Sequence, residues 1–69
     1  MPLVQVTMVE GRSPEQKRAL MEKLTDAVVE TLGAKRETVR VILYEVPKAH
    51  WGVGGVSKAE QDAARGESP

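Results

Sequence analysis

The sequence predicts an α/β chain: one strand–helix–strand unit with parallel strands, followed by a short hairpin. Three observations carry that prediction. Leu3 to Val9 and Thr38 to Val46 place apolar residues at every second position, the period of a strand. Between them lies a stretch with a helix start signal and apolar residues at three- and four-residue spacing. Strand, helix and strand within about 45 residues leave room for one right-handed crossover, which joins parallel strands.

In the first strand Val4, Val6 and Met8 share a face, and Leu3, Gln5, Thr7 and Val9 make a mixed opposite face. Glu10-Gly11-Arg12 reads as a turn. Ser13-Pro14-Glu15-Gln16 then reads as a helix start, with Ser13 as N-cap, Pro14 in the first helical position and Gln16 completing a capping box. Leu20, Leu24, Ala27, Val28 and Leu32 form the apolar stripe of a helix that runs to about Leu32, with Gly33 as its left-handed cap. In the second strand Val39, Val41 and Leu43 face one way, and Arg40, Ile42, Tyr44 and Val46 the other. Pro47 lacks the N–H that a ladder needs and ends the strand. Trp51 to Val56, with Gly52, Gly54 and Gly55, reads as a short hairpin or loop. Ser57 to Pro69 is polar and small, and is expected to give a helical turn and a frayed tail. The chain is thus expected to be one domain over residues 1–69, with a core at about 2–56 and a polar tail at 57–69.

Size and composition narrow the function. Both faces of the second strand are largely apolar, yet one helix covers one face of a two-stranded sheet. The other face calls for a second chain. The 69 residues contain no cysteine, so no disulfide, thiolate zinc site or thiol nucleophile can form. The one histidine, His50, argues against a protein-only metal site and is given no role. Ten Lys+Arg balance ten Asp+Glu, which removes the usual electrostatic argument for nucleic acid or an anionic membrane. No apolar run approaches the ~20 residues of a membrane helix, and no signal peptide is recognisable. A cytoplasmic location is the expectation.

Few residues offer chemistry. Removal of Met1 would leave Pro2 as an amino-terminal secondary amine just before a strand. Desolvation and nearby cations disfavour its ammonium form, so it could act as a general base near neutral pH. Proline in position two is also simply common. Arg40, on an otherwise apolar strand face, binds an anionic ligand or forms an ion pair across a subunit junction, for example with Glu45 or Glu10. Arg12 binds an anion or is a solvated turn residue. Trp51 walls a pocket or plugs an interface. The Gly52-x-Gly54-Gly55 run fits neither a dinucleotide fingerprint nor a Walker loop. An amine, two arginines and an aromatic, without metal or nucleophile, suit proton transfer on a small dianion.

Pro2, Glu10-Gly11-Arg12-Ser13, Val39-Arg40-Val41-Ile42 and His50-Trp51-Gly52-Val53-Gly54-Gly55 together resemble the 4-oxalocrotonate tautomerase family, in order and spacing over roughly residues 2 to 56. The resemblance implies an isomerase that interconverts enol and keto forms of an unsaturated dicarboxylic acid such as 2-hydroxymuconate. It implies no cofactor and no metal, and a homo-hexamer built as a trimer of dimers. It also implies roles: Pro2 as general base, Arg40 at the 2-keto or 2-hydroxy end with its carboxylate, and Arg12 on the distal carboxylate. Trp51 stands where the family usually has phenylalanine, keeping an apolar wall while changing pocket volume. Neighbouring subunits complete each site in the family, so these four residues need not meet in one chain. Two alternatives stay open. Hydratases and dehalogenases of the family need a carboxylate to activate water, and Ala49 to Ser57 contains none. A non-catalytic subunit of a hetero-hexamer is the other.

Overall fold

The computed structural model describes residues 1–66. Strand β1 (Leu3–Val9) leads to helix α1 (Pro14–Leu32) and returns as strand β2 (Arg40–Val46). Strands β3 (Gly52–Val53) and β4 (Val56–Ser57) follow, and then helix α2 (Lys58–Ala64). β1 and β2 pair in parallel, in a register that sets Leu3 beside Arg40, Val6 beside Leu43 and Val9 beside Val46.

The helix signals act as the sequence implies. Ser13 Oγ accepts from Gln16 N at 3.1 Å and Gln16 Oε1 accepts from Ser13 N at 3.0 Å. At the other end Gly33 adopts φ 66° and its N–H donates to Val29 O at 3.0 Å. The helix lies on the face formed by Val4, Val6 and Met8 with Val39, Val41 and Leu43. Leu20, Leu24 and Val28 are half-buried there. Two members of the expected stripe differ: Ala27 remains exposed, and so does Leu32, the last residue of the helix.

Three local features have physical causes, and the first is a correction. β2 starts at Arg40 rather than Thr38, because residues 36–38 close a 3₁₀ turn. In that turn Thr38 donates to Lys35 O through both its N–H (2.9 Å) and its Oγ1 (2.7 Å). Lys48–His50 forms a second such turn directly after Pro47. The glycine-rich segment is a hairpin whose two central residues, Gly54 and Gly55, both have positive φ, at 62° and 86°. Such a two-residue turn favours glycine because a Cβ disfavours both conformations.

The segment read as a helical turn and tail contains a seven-residue helix over Lys58–Ala64. Ser57 caps it, accepting from Glu60 N at 3.2 Å. Asp62 is its one buried residue. The rest of the expected tail, residues 67–69, lies outside the described residues.

A single chain is under-packed. Among the described residues only one apolar side chain, Val39, is buried. The radius of gyration is 15.7 Å, against about 11 Å for a compact domain of this length. The exposed surface is 5186 Å², against about 4,200 Å² for a compact monomer of this mass. Part of the exposed apolar surface lies on the sheet face away from α1, where Leu3 (53%), Ile42 (39%) and Tyr44 (47%) are exposed.

Candidate active site

The four residues singled out by the sequence fall into two groups. Pro2 and Arg40 lie at one end of the parallel sheet, where Arg40 N donates to Pro2 O at 3.0 Å. The pairing is forced by the register that sets Leu3 beside Arg40. Arg40 projects from the open face, and its Nη1 donates back to Glu37 O at 2.8 Å. The remaining guanidinium N–H groups leave a fork for a planar anion. Glu45, one suggested partner for Arg40, lies on the helix-covered face and pairs with Lys17 at 2.8 Å. With Met1 attached and exposed, the Pro2 nitrogen is a tertiary amide and carries no basic lone pair.

Arg12 lies beyond the opposite end. β1 separates it from Pro2 by about 20 Å, at 3.3 Å per residue. Among the described residues Arg12 takes part in no ion pair. It lines a cavity of about 210 Å³ with Met8, Gln16, Lys17 and Leu20. It also lines a second, of about 220 Å³, with Val9, Glu10, Lys48 and Lys58. Trp51 is half-buried at the start of the hairpin, and its carbonyl accepts from Lys58 N at 2.7 Å, which ties the hairpin to α2. One chain therefore joins Pro2 to Arg40 and sets Arg12 apart from both.

The sequence reading passed over a cluster at this second end. Asp62, 2% exposed, receives Arg65 Nη2 at 2.7 Å, Lys58 Nζ at 3.0 Å and Lys48 Nζ at 3.5 Å. Its signal was available in the Ser57-x-x-Glu60 capping pattern and in Lys58, Asp62 and Arg65 at helical spacing. No group of three or more His, Cys, Asp or Glu placed to hold a metal occurs among the described residues. Nor is any helix among them long and apolar enough to cross a membrane.

The chain thus presents a parallel βαβ unit with an open apolar face, a strand arginine beside the second residue and a distant arginine that forms no ion pair among the described residues. The family model for tautomerase enzymes matches residues 2–61, and the chain belongs to that family. It is 53% identical to the 2-hydroxymuconate tautomerase of Comamonas testosteroni over 60 residues, 87% of this chain and 95% of that protein. Among solved structures it resembles TomN, a 4-oxalocrotonate tautomerase homologue of the tomaymycin biosynthetic pathway. That match has a TM-score of 0.87 and 55% identity, covering 90% of this chain and 95% of that one. It also resembles a heterohexamer 4-oxalocrotonate tautomerase from Chloroflexus aurantiacus, with a TM-score of 0.83 and 47% identity over 87% of this chain and 97% of that one. The protein is accordingly a 4-oxalocrotonate tautomerase-like isomerase.

Proposed function

We propose that this chain, with Met1 removed, forms a cytoplasmic homo-hexamer that converts 2-hydroxymuconate or a close dicarboxylate between enol and keto forms without a cofactor. The observation that carries the reading is the pairing of Pro2 with Arg40. It sets residue 2, whose nitrogen becomes an amine once Met1 is removed, at the same end of the sheet as Arg40, which suits a base and a cation acting together in an enolisation.

The reaction follows from these groups. The neutral Pro2 nitrogen accepts the proton of the 2-hydroxyl group. The electron pair released spreads over the diene as a dienolate. Arg40, at the 2-oxygen and its carboxylate, stabilises the negative charge as it develops, the kind of electrostatic assistance that dominates such barriers. Arg12 of a neighbouring subunit holds the distal carboxylate through paired N–H donors and draws charge along the chain. The protonated Pro2 then returns its proton to carbon, giving the unsaturated ketone and restoring the amine. Trp51 contributes an apolar wall that keeps water from the amine. Two features support the division of labour between chains: the distance between Arg12 and Pro2, and the exposed sheet face bearing Leu3, Ile42 and Tyr44.

The test is the ultraviolet decay of 2-hydroxymuconate with protein whose intact mass shows Met1 removed. Fast, saturable ketonisation is the expected result. A rate no greater than buffer overturns the substrate. A second reading, membership of a hetero-hexamer, draws on the Chloroflexus aurantiacus relative. Size-exclusion mass of the chain expressed alone separates the two: a hexamer supports the first, a monomer or insoluble product the second.

A further inference from the structure

Lys48 and Lys58 have no part in the reaction just described, yet they share a cavity of about 220 Å³ with Arg12. They reach it from different elements, Lys48 from the turn after β2 and Lys58 from the first position of α2. Asp62 fixes both. It is buried at 2% exposure, and a buried carboxylate is retained only where cations and hydrogen bonds compensate its desolvation. Lys58 Nζ lies 3.0 Å from its Oδ1 and Lys48 Nζ 3.5 Å from its Oδ2, with Arg65 on Oδ1 at 2.7 Å.

Each ammonium carries three N–H donors, and both lysine side chains remain about one-third exposed, at 32% and 37%. The cavity lining thus carries Arg12, Lys48 and Lys58 against one acidic residue, Glu10. An adjoining concavity of about 550 Å³, walled by Pro47, Ala49 and Ala59, shares Glu10 and Lys48 with it and offers an apolar bed for a carbon chain. A preorganised excess of positive charge beside an unpaired guanidinium selects for an anionic end group.

We infer that Lys48 and Lys58, anchored by Asp62, form with Arg12 a carboxylate pocket that makes this protein selective for diacids over monoacids. The inference rests on the tautomerase reading for its ligand class and adds two residues to the distal subsite. The α2 helix thereby becomes part of substrate selection, because it carries Lys58 and the anchor together.

Titration calorimetry with muconate and sorbate tests this without turnover. Both are six-carbon dienoic acids, muconate with two carboxylates and sorbate with one. The wild type is expected to bind muconate about tenfold more tightly than sorbate, the usual scale of one charge-assisted contact. The double variant Lys48→Gln/Lys58→Gln is expected to lose most of that preference, and Lys48→Arg/Lys58→Arg to keep it. Size-exclusion mass shows whether each variant assembles like the wild type. Should the glutamine variant fail to assemble, Lys58→Gln alone is expected to lower the preference about threefold. A wild type without preference overturns the inference, as does a preference that survives both glutamine variants in assembled protein. A protein that prefers muconate but does not turn over 2-hydroxymuconate overturns the reaction and leaves the pocket standing.

Discussion

At one end of the parallel sheet Pro2 and Arg40 are joined by one backbone hydrogen bond, and Arg40 leans on the carbonyl of Glu37. At the other end Arg12 shares a cavity with lysines from two further elements, around a buried carboxylate. In the proposed reaction the first end is simple because it asks only for a base and a cation at one strand end, and strand register brings residues 2 and 40 there. The second needs several cations held together against their mutual repulsion, and Asp62 supplies the opposing charge. About 20 Å of strand separates them, so a small substrate bound in one chain cannot touch both. On the proposed function, the difference makes the subunit a donor of two half-sites rather than the owner of one whole site.

The largest effect should come from blocking the simple end. Protein retaining Met1 is expected to fold, by circular dichroism, and to lose a factor of about 10²–10⁴ in kcat, the range for a positioned general base. Equal rates with and without Met1 would remove Pro2 from the chemistry. Arg40→Ala should lower kcat by about 10²–10³, while Arg12→Ala should mainly raise KM, by about tenfold or more. If both variants show the same small loss, the two ends do not have separate duties. Mixing sharpens the point: at low substrate, Met1-retaining protein co-refolded with Arg12→Ala protein should exceed the summed rates of the two alone, because some sites then combine an intact Pro2 with an intact Arg12. No such excess would break the cross-subunit arrangement.

A further test moves from the ends to the faces. Ile42→Asp puts a charge in the middle of the open face and should reduce the size-exclusion mass and the activity together. An active monomer would show that one chain suffices. The smallest effect belongs to Ser13→Ala, which removes one half of the capping box. It should cost about 1 kcal/mol and a few degrees in Tm by calorimetry, with catalysis per folded protein unchanged.

Much of the fold is legible in the sequence because its signals are local. Ser13 and Gln16 are three residues apart, Gly33 follows the last apolar turn, and the period-two runs need no partner to be seen. The same locality explains the misplaced start of β2. The Thr38 side chain competes for a carbonyl only three residues away, a choice that β propensity does not register. The α2 helix is legible only as a helical turn because its composition is polar and its one buried group is an aspartate, whereas pattern reading looks for apolar stripes.

By itself, the sequence determined the order and type of the main elements, the apolar character of both sheet faces, and the residue types able to move a proton on a dianion. Tertiary structure alone decided that Pro2 and Arg40 meet while Arg12 stands apart. It alone decided that Lys48, Lys58 and Arg65 converge on Asp62. The physical reason is range. Caps, turns and strand periods are settled within a few residues, but strand register and the burial of a charge depend on groups that chain folding brings together from far apart. A carboxylate such as Asp62 is costly to bury until those distant cations are in place.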